Sequence, residues 1–174
     1  MDQDKATPSP ARRAALYGAL AALALAAGYL EALIPLPVMA PGVKLGLGNA
    51  VVLFALERMG ARPALALMLV KVACTTLLFA NPQTFVFSLA GGLLSWAAMA
   101  ILHRTGLFST VSISVVGGIS HNAGQLLAVA AILSPAVARA SAPVLVVAGV
   151  LCGLAVGILV RAVLAAIPRE ALHA

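Results

Sequence analysis

Charge is what this chain has least of. Only 9% of its 174 residues are Asp, Glu, Lys or Arg, while 63% are hydrophobic and the mean hydropathy is +1.09. A soluble domain carries about 25% charged residues, so a soluble globular enzyme is excluded and a lipid-embedded chain is indicated. Aspartate occurs only at Asp2 and Asp4. Cysteine is almost as scarce: Cys74 and Cys152 both sit inside apolar segments, where the thiol behaves as a small hydrophobe. Neither a disulfide framework nor a metal site is indicated, and the redox compartment is not legible.

Other shortages remove chemistries. No G-x-x-x-x-G-K-[ST] pattern occurs, so the chain has no phosphate loop of its own. Prenyl diphosphate synthases hold magnesium with aspartate-rich helix motifs, and Asp2 and Asp4 alone cannot supply them. His103, His121 and His173 are too scattered for a metal centre, and no serine or cysteine has a base and an orienting acid beside it. The chain is not expected to be a catalyst by itself, and no directly bound cofactor or metal is expected.

What is present is a series of apolar segments. A chain of this length holds about six spanning helices of roughly 20 residues. The segments run from Ala14 to Leu30, Leu45 to Leu56, Ala64 to Phe79, Phe85 to Leu102, Val111 to Leu133 and Pro143 to Val160, separated by Pro, Gly and charged residues. The second is shorter than a full span. Arg12-Arg13 before the first segment imitates a signal peptide, but the run continues to about Leu33 among several like it, which predicts a retained helix. The fold class read from this pattern is all-α, an integral membrane bundle of six transmembrane helices. Residues 1–10 form a disordered tail, 11–167 a single membrane domain and 168–174 a second tail.

The net charge of +6 is spread singly or in pairs between apolar runs, which argues for topology signals rather than a nucleic-acid surface. With the N-terminus inside, Lys5, Arg12, Arg13, Arg58, Arg62, Arg104, Arg161 and Arg169 fall on the cytoplasmic side. Both termini are therefore expected in the cytoplasm of a multi-pass protein of the cytoplasmic (inner) membrane.

The polar groups left inside the apolar segments are the candidate site. Ala40 to Asn49 places Lys44, Asn49 and three glycines between two long apolar segments. Pro41, Gly42, Gly46 and Gly48 free the backbone to approach a ligand. Lys71 lies at mid-span and His121, Asn122 and Gln125 lie on one segment, His121 and Gln125 four apart and so on one helix face. Ionisable groups at this depth are costly and usually face a cavity or a partner. Each of these residues alone is equally a helix-joining group, and a scaffold without a ligand is the corresponding reading. Their agreement in depth, with Glu31 at the outer end of the first segment, favours a polar cavity opening outward, with residues 34–43 as its lid. Lys44 and Lys71 outnumber Glu31, which favours an anionic or carboxylate-bearing solute. Tyr29, Phe79, Phe85 and Trp96 are candidate stacking surfaces.

The first segment also carries small residues at four-residue spacing, in the rows Ala14, Gly18, Ala22 and Ala11, Ala15, Ala19. Such a face lets another helix approach closely in lipid, from within the chain or from a partner.

Glu31-Ala-Leu-Ile-Pro35, Pro41-Gly-Val-Lys-Leu-Gly-Leu-Gly-Asn49 and Gly117-Gly-Ile-Ser-His121-Asn-Ala-Gly-Gln125 resemble the Gx transporter family, also labelled heptaprenyl diphosphate synthase component I. The similarity runs from about Leu16 to Val160. That family is similar to the substrate-binding S components of energy-coupling factor (ECF) transporters. The resemblance implies a six-helix membrane protein that binds a micronutrient near its outer face. It also implies docking, through small residues of the first helix, onto a transmembrane coupling protein served by two ATPases, so ATP would enter only through partners. The synthase label implies a different partner, a polyprenyl diphosphate synthase catalytic subunit. On that reading the chain is a non-catalytic accessory subunit.

Overall fold

The computed structural model describes residues 10–33, 46–79 and 82–167. The two predicted tails, the predicted lid at 34–43 and Lys44 lie outside the described residues, except that Pro10 opens the first helix. Six helices account for nearly all of what is described: α1 Pro10–Leu33, α2 Leu47–Met59, α3 Ala61–Phe79, α4 Pro82–Thr105, α5 Thr110–Ile132 and α6 Pro135–Ala166. No strand occurs among the described residues.

Local chemistry explains most of the boundaries. Ser109 caps α5 by accepting from the Ser112 N–H at 3.1 Å, and Ser134 caps α6 by accepting from the Ala136 N–H at 3.1 Å. Proline opens α1, α4 and α6, where its missing N–H costs no intrahelical bond. Gly60, with φ of 93°, ends α2 and sends its N–H back to the carbonyls of Ala55 and Leu56 before α3 starts at once.

Four predicted starts are corrected, the first helix to Pro10 from Ala14 and the fourth to Pro82 from Phe85 besides the two that follow. The third helix begins at Ala61 rather than Ala64, because Pro63 lies in its first turn, where proline is tolerated. The sixth begins at Pro135 rather than Pro143. Ser134 and Pro135 form a complete start signal, and Pro143 is carried inside the helix, where it removes one backbone donor without ending it.

Four helices, α3 to α6, are long and apolar enough to cross a membrane, and α1 contains a shorter apolar stretch, Ala14–Leu30. At 13 residues, α2 is about 20 Å long against a hydrocarbon core of about 30 Å. Its position compensates for its length. Every residue from Ala50 to Leu56 is buried, and α2 packs against α1, α3, α4 and α6. Leu20 and Ala24 of α1, Ala64, Leu67, Met68 and Val72 of α3, Met99 of α4, and Val156 and Val160 of α6 complete the core around it.

Close approach of backbones holds α5 between α4 and α6. A Cβ at Gly124 would stand 2.6 Å from the Ala90 carbonyl oxygen, so α4 and α5 meet backbone to backbone. On the other side a Cβ at Gly118 would collide with the Gly149 carbonyl oxygen, and one at Gly153 would stand 2.8 Å from that of Ser114. Gly149, Gly153 and Gly157 recur every four residues along the α6 face that meets α5, the small-residue spacing suited to helix contact in lipid.

One end of the bundle is tied by polar groups. Arg58 Nη2 donates to the carbonyl oxygens of Leu164 and Ile167 at 2.6 and 2.5 Å, joining α2 to the end of α6. His103 Nε2 lies 3.6 Å from Glu57 Oε2, and Trp96 Nε1 donates to the Ala61 carbonyl oxygen at 2.8 Å.

Candidate functional site

The site grows from the N-terminal turn of α2. Gly46 takes φ of 78°, a left-handed conformation that suits glycine, and its carbonyl accepts from the Asn49 N–H at 2.8 Å. Two residues on, Gly48 is buried beneath the Lys71 side chain. A Cβ there would stand 2.9 Å from Lys71 Cε and 3.2 Å from the Ala24 carbonyl oxygen. The absence of that atom lets the lysine stem cross from α3 over α2. Its ammonium donates to Asn49 Oδ1 at 2.6 Å.

Asn49 in turn lines a cleft of about 50 Å³ bounded by α2, α4, α5 and α6. That is room for a few waters or a small polar group. His121 and Asn122 enter it from α5, Ser95 from α4, Ser114 from α5 and Cys152 from α6. Asn122 Nδ2 donates to the Leu145 carbonyl oxygen at 2.5 Å, which fixes its carboxamide against α6. The floor is glycine, with Gly117 and Gly118 on α5 and Gly149 and Gly153 on α6.

Of the predicted binding residues, the structure therefore brings Asn49, His121 and Asn122 to one cleft, and Lys71 joins them through Asn49. Gln125 does not line it. Its side chain is buried against Gly91 of α4, where a Cβ would stand 3.0 Å from Gln125 Cγ, and its Oε1 has no hydrogen-bond partner among the described residues. As the four-residue spacing predicted, His121 and Gln125 share one face: a Cβ at Gly91 would stand 3.0 Å from both Gln125 Cγ and His121 Cε1, and of the two only His121 also reaches the cleft. Lys44 and the side chain of Glu31 lie outside the described residues. Trp96 does not line the cleft and bonds to Ala61 at the Arg58 end.

Sequence reasoning missed Ser95, Ser114, Cys152 and the whole contribution of α6. Serines are too common to stand out singly. The recurring Gly149, Gly153 and Gly157 was the available signal that α6 approaches another helix closely.

The predicted docking residues Ala11, Ala14, Ala15, Gly18, Ala19 and Ala22 are all exposed, while Leu20 and Ala24 turn inward. A Cβ at Gly18 would meet nothing within 4 Å.

A family model described as heptaprenyl diphosphate synthase component I matches residues 20–163, a span that contains every lining residue of the cleft. Neither the curated proteins nor the solved structures compared gave a match.

Proposed function

The chain belongs to the heptaprenyl diphosphate synthase component I family, and from this membership, the apolar helices and the polar cleft we propose a membrane-embedded subunit that binds a small solute for uptake. The observation that carries the reading is the Lys71–Asn49 hydrogen bond at 2.6 Å, at the wall of a cleft that His121, Asn122, Ser95 and Ser114 also line. A purely structural interior would fill this space with side chains, since cores pack to near crystal density. Here the helices meet backbone to backbone at Gly118, Gly149 and Gly153, yet a cleft lined by polar groups remains beside that contact.

On this reading the bundle crosses the membrane six times with both termini in the cytoplasm. Support comes from the basic residues: Arg58, Arg62, Arg104 and Arg161 belong to the end of the bundle where α2, α4 and α6 finish and α3 begins, while Arg139 stands near the opposite end of α6. The cleft holds a polar part of a solute that is micronutrient-sized as a whole, as for an ECF S component. The exposed small residues of α1 then supply the surface that meets a transmembrane coupling protein with its ATPases.

The test is mass spectrometry of whatever small molecule the protein retains after purification in mild detergent, followed by thermal-shift titration with it. Retention by the wild type, with loss in His121→Ala and Asn49→Leu at unchanged unliganded melting temperature, supports the reading. Equal retention by both variants counts against it.

The family description favours a second reading, an accessory subunit of polyprenyl diphosphate synthesis. On that reading the chain serves in a non-catalytic role, supported by its having only Asp2 and Asp4 and no aspartate-rich magnesium motif. It predicts a stable complex with an aspartate-rich catalytic chain whose rate or product length changes. Recovery of only coupling and ATPase subunits in a pull-down excludes it.

A further inference from the structure

Among the described residues, the cleft that binds solute in the reading above is lined by no Asp, Glu, Lys or Arg. Lys71, which is not among these lining residues, donates to Asn49 Oδ1. An ammonium has only donors, so it must pair with the oxygen of the carboxamide. The two polar atoms of a carboxamide diverge from one carbon, so this pairing turns Asn49 Nδ2 elsewhere. It turns toward Gly46, another lining residue: a Cβ at Gly46 would stand 3.6 Å from that nitrogen. On the facing wall Asn122 Nδ2 is committed to the Leu145 carbonyl, which leaves Oδ1 as the acceptor of that side chain. The buried Ser95 and Ser114 add neutral hydroxyls.

We propose that the part of the solute entering this cleft is uncharged and presents a hydrogen-bond acceptor, such as an amide or ketone carbonyl, to the side-chain NH2 of Asn49. Lys71 is a positioning residue that fixes the orientation of Asn49. The proposal rests on the binding reading and narrows it. Among the described residues, a carboxylate at this position would find no lysine or arginine lining the cleft to offset its desolvation. The anionic group suggested by the count of lysines belongs to a part of the solute outside the cleft.

Cys152 lines the same cleft and makes the proposal testable with two reagents of nearly equal shape, iodoacetamide and iodoacetate. In the full-length Cys74→Ser protein in mild detergent, alkylation of Cys152 is followed by mass spectrometry and each rate is divided by the rate for glutathione. The expected result is a normalised preference for iodoacetamide of about tenfold or more. Asn49→Asp, which keeps an oxygen opposite Lys71 and replaces the NH2 by a second oxygen, widens that preference. In protein labelled with [15N]asparagine, the Asn49 NH2 resonance, identified by its loss in Asn49→Leu, shifts in Lys71→Met and returns in Lys71→Arg. An iodoacetate preference that disappears in Lys71→Met overturns the proposal by making Lys71 the cation of the cleft, and leaves the binding reading standing. If neither reagent reaches Cys152 until the protein is unfolded, the cleft is closed to solutes and the binding reading falls with the proposal.

Discussion

Arg58 on α2 closes the end of α6 by donating to the carbonyl oxygen of Ile167, a contact across 109 residues of sequence, and the same Nη2 reaches Leu164. The last carbonyls of a helix have no intrahelical donor, and a cation there also opposes the helix dipole favourably. The short core helix is thereby fixed to the longest helix of the bundle.

Arg58→Ala is expected to destabilise the protein by about 1.5–3 kcal/mol, the range for hydrogen bonds that involve a charged group. Arg58→Lys recovers only part of it, because a single ammonium does not reproduce the guanidinium fork. Reversible denaturation in mixed micelles, compared among the three proteins, measures both effects. A loss below 0.5 kcal/mol in Arg58→Ala, roughly what an exposed surface change costs, would show that the contact contributes nothing to stability.

Gly118 and Gly18 make a matched pair. A methyl group at Gly118 collides with the Gly149 carbonyl and lies 3.4 Å from Gly153 Cα, backbone that cannot swing aside. Gly118→Ala should cost about 1–3 kcal/mol by forcing α5 and α6 apart. At Gly18 nothing lies within 4 Å, so Gly18→Ala should be neutral or stabilise by up to about 1 kcal/mol through helix propensity. Melting temperatures of the two variants should move in opposite directions or differ clearly in size.

Asn122→Ala removes the bond to the Leu145 carbonyl. Interhelical hydrogen bonds within a membrane contribute about 0.6–2 kcal/mol, so a loss in that range is expected together with weaker binding of the retained solute. Stability that falls while solute affinity stays constant would assign Asn122 to packing alone.

The α1 face gives a separable outcome. Ala15→Leu and Gly18→Leu add bulk where the residues are exposed, so the isolated protein should fold and keep its solute. Copurification with membrane partner subunits should drop at least tenfold, about 1.4 kcal/mol. Unchanged copurification in both variants would move the docking surface off α1.

The legible part of this architecture was the part set by neighbouring residues. Low charge and long apolar runs made the membrane class plain, and punctuation by Pro, Gly and charged residues located six helices. The start of α6 was misplaced because Pro143 resembled a boundary, while Ser134 and Pro135 already formed one. Lys71 and Asn49 were both picked out by their cost in an apolar segment. That they bond to each other depends on Gly48 being small enough for a lysine stem to cross it, a relation between α2 and α3 that periodicity does not contain.

Hydropathy and capping, both local properties, determined how many helices this chain makes and which polar residues must find a partner. The tertiary structure decided which of them meet, because the rotation of each helix about its axis follows from where backbones come closest. With α5 seated through Gly118, Gly149 and Gly153 on α6 and through Gly124 on α4, His121 and Asn122 line the cleft, while Gln125 packs at Gly91, which the His121 ring also meets. That division rests on interhelical distances of a few ångströms, which no spacing within a single segment encodes.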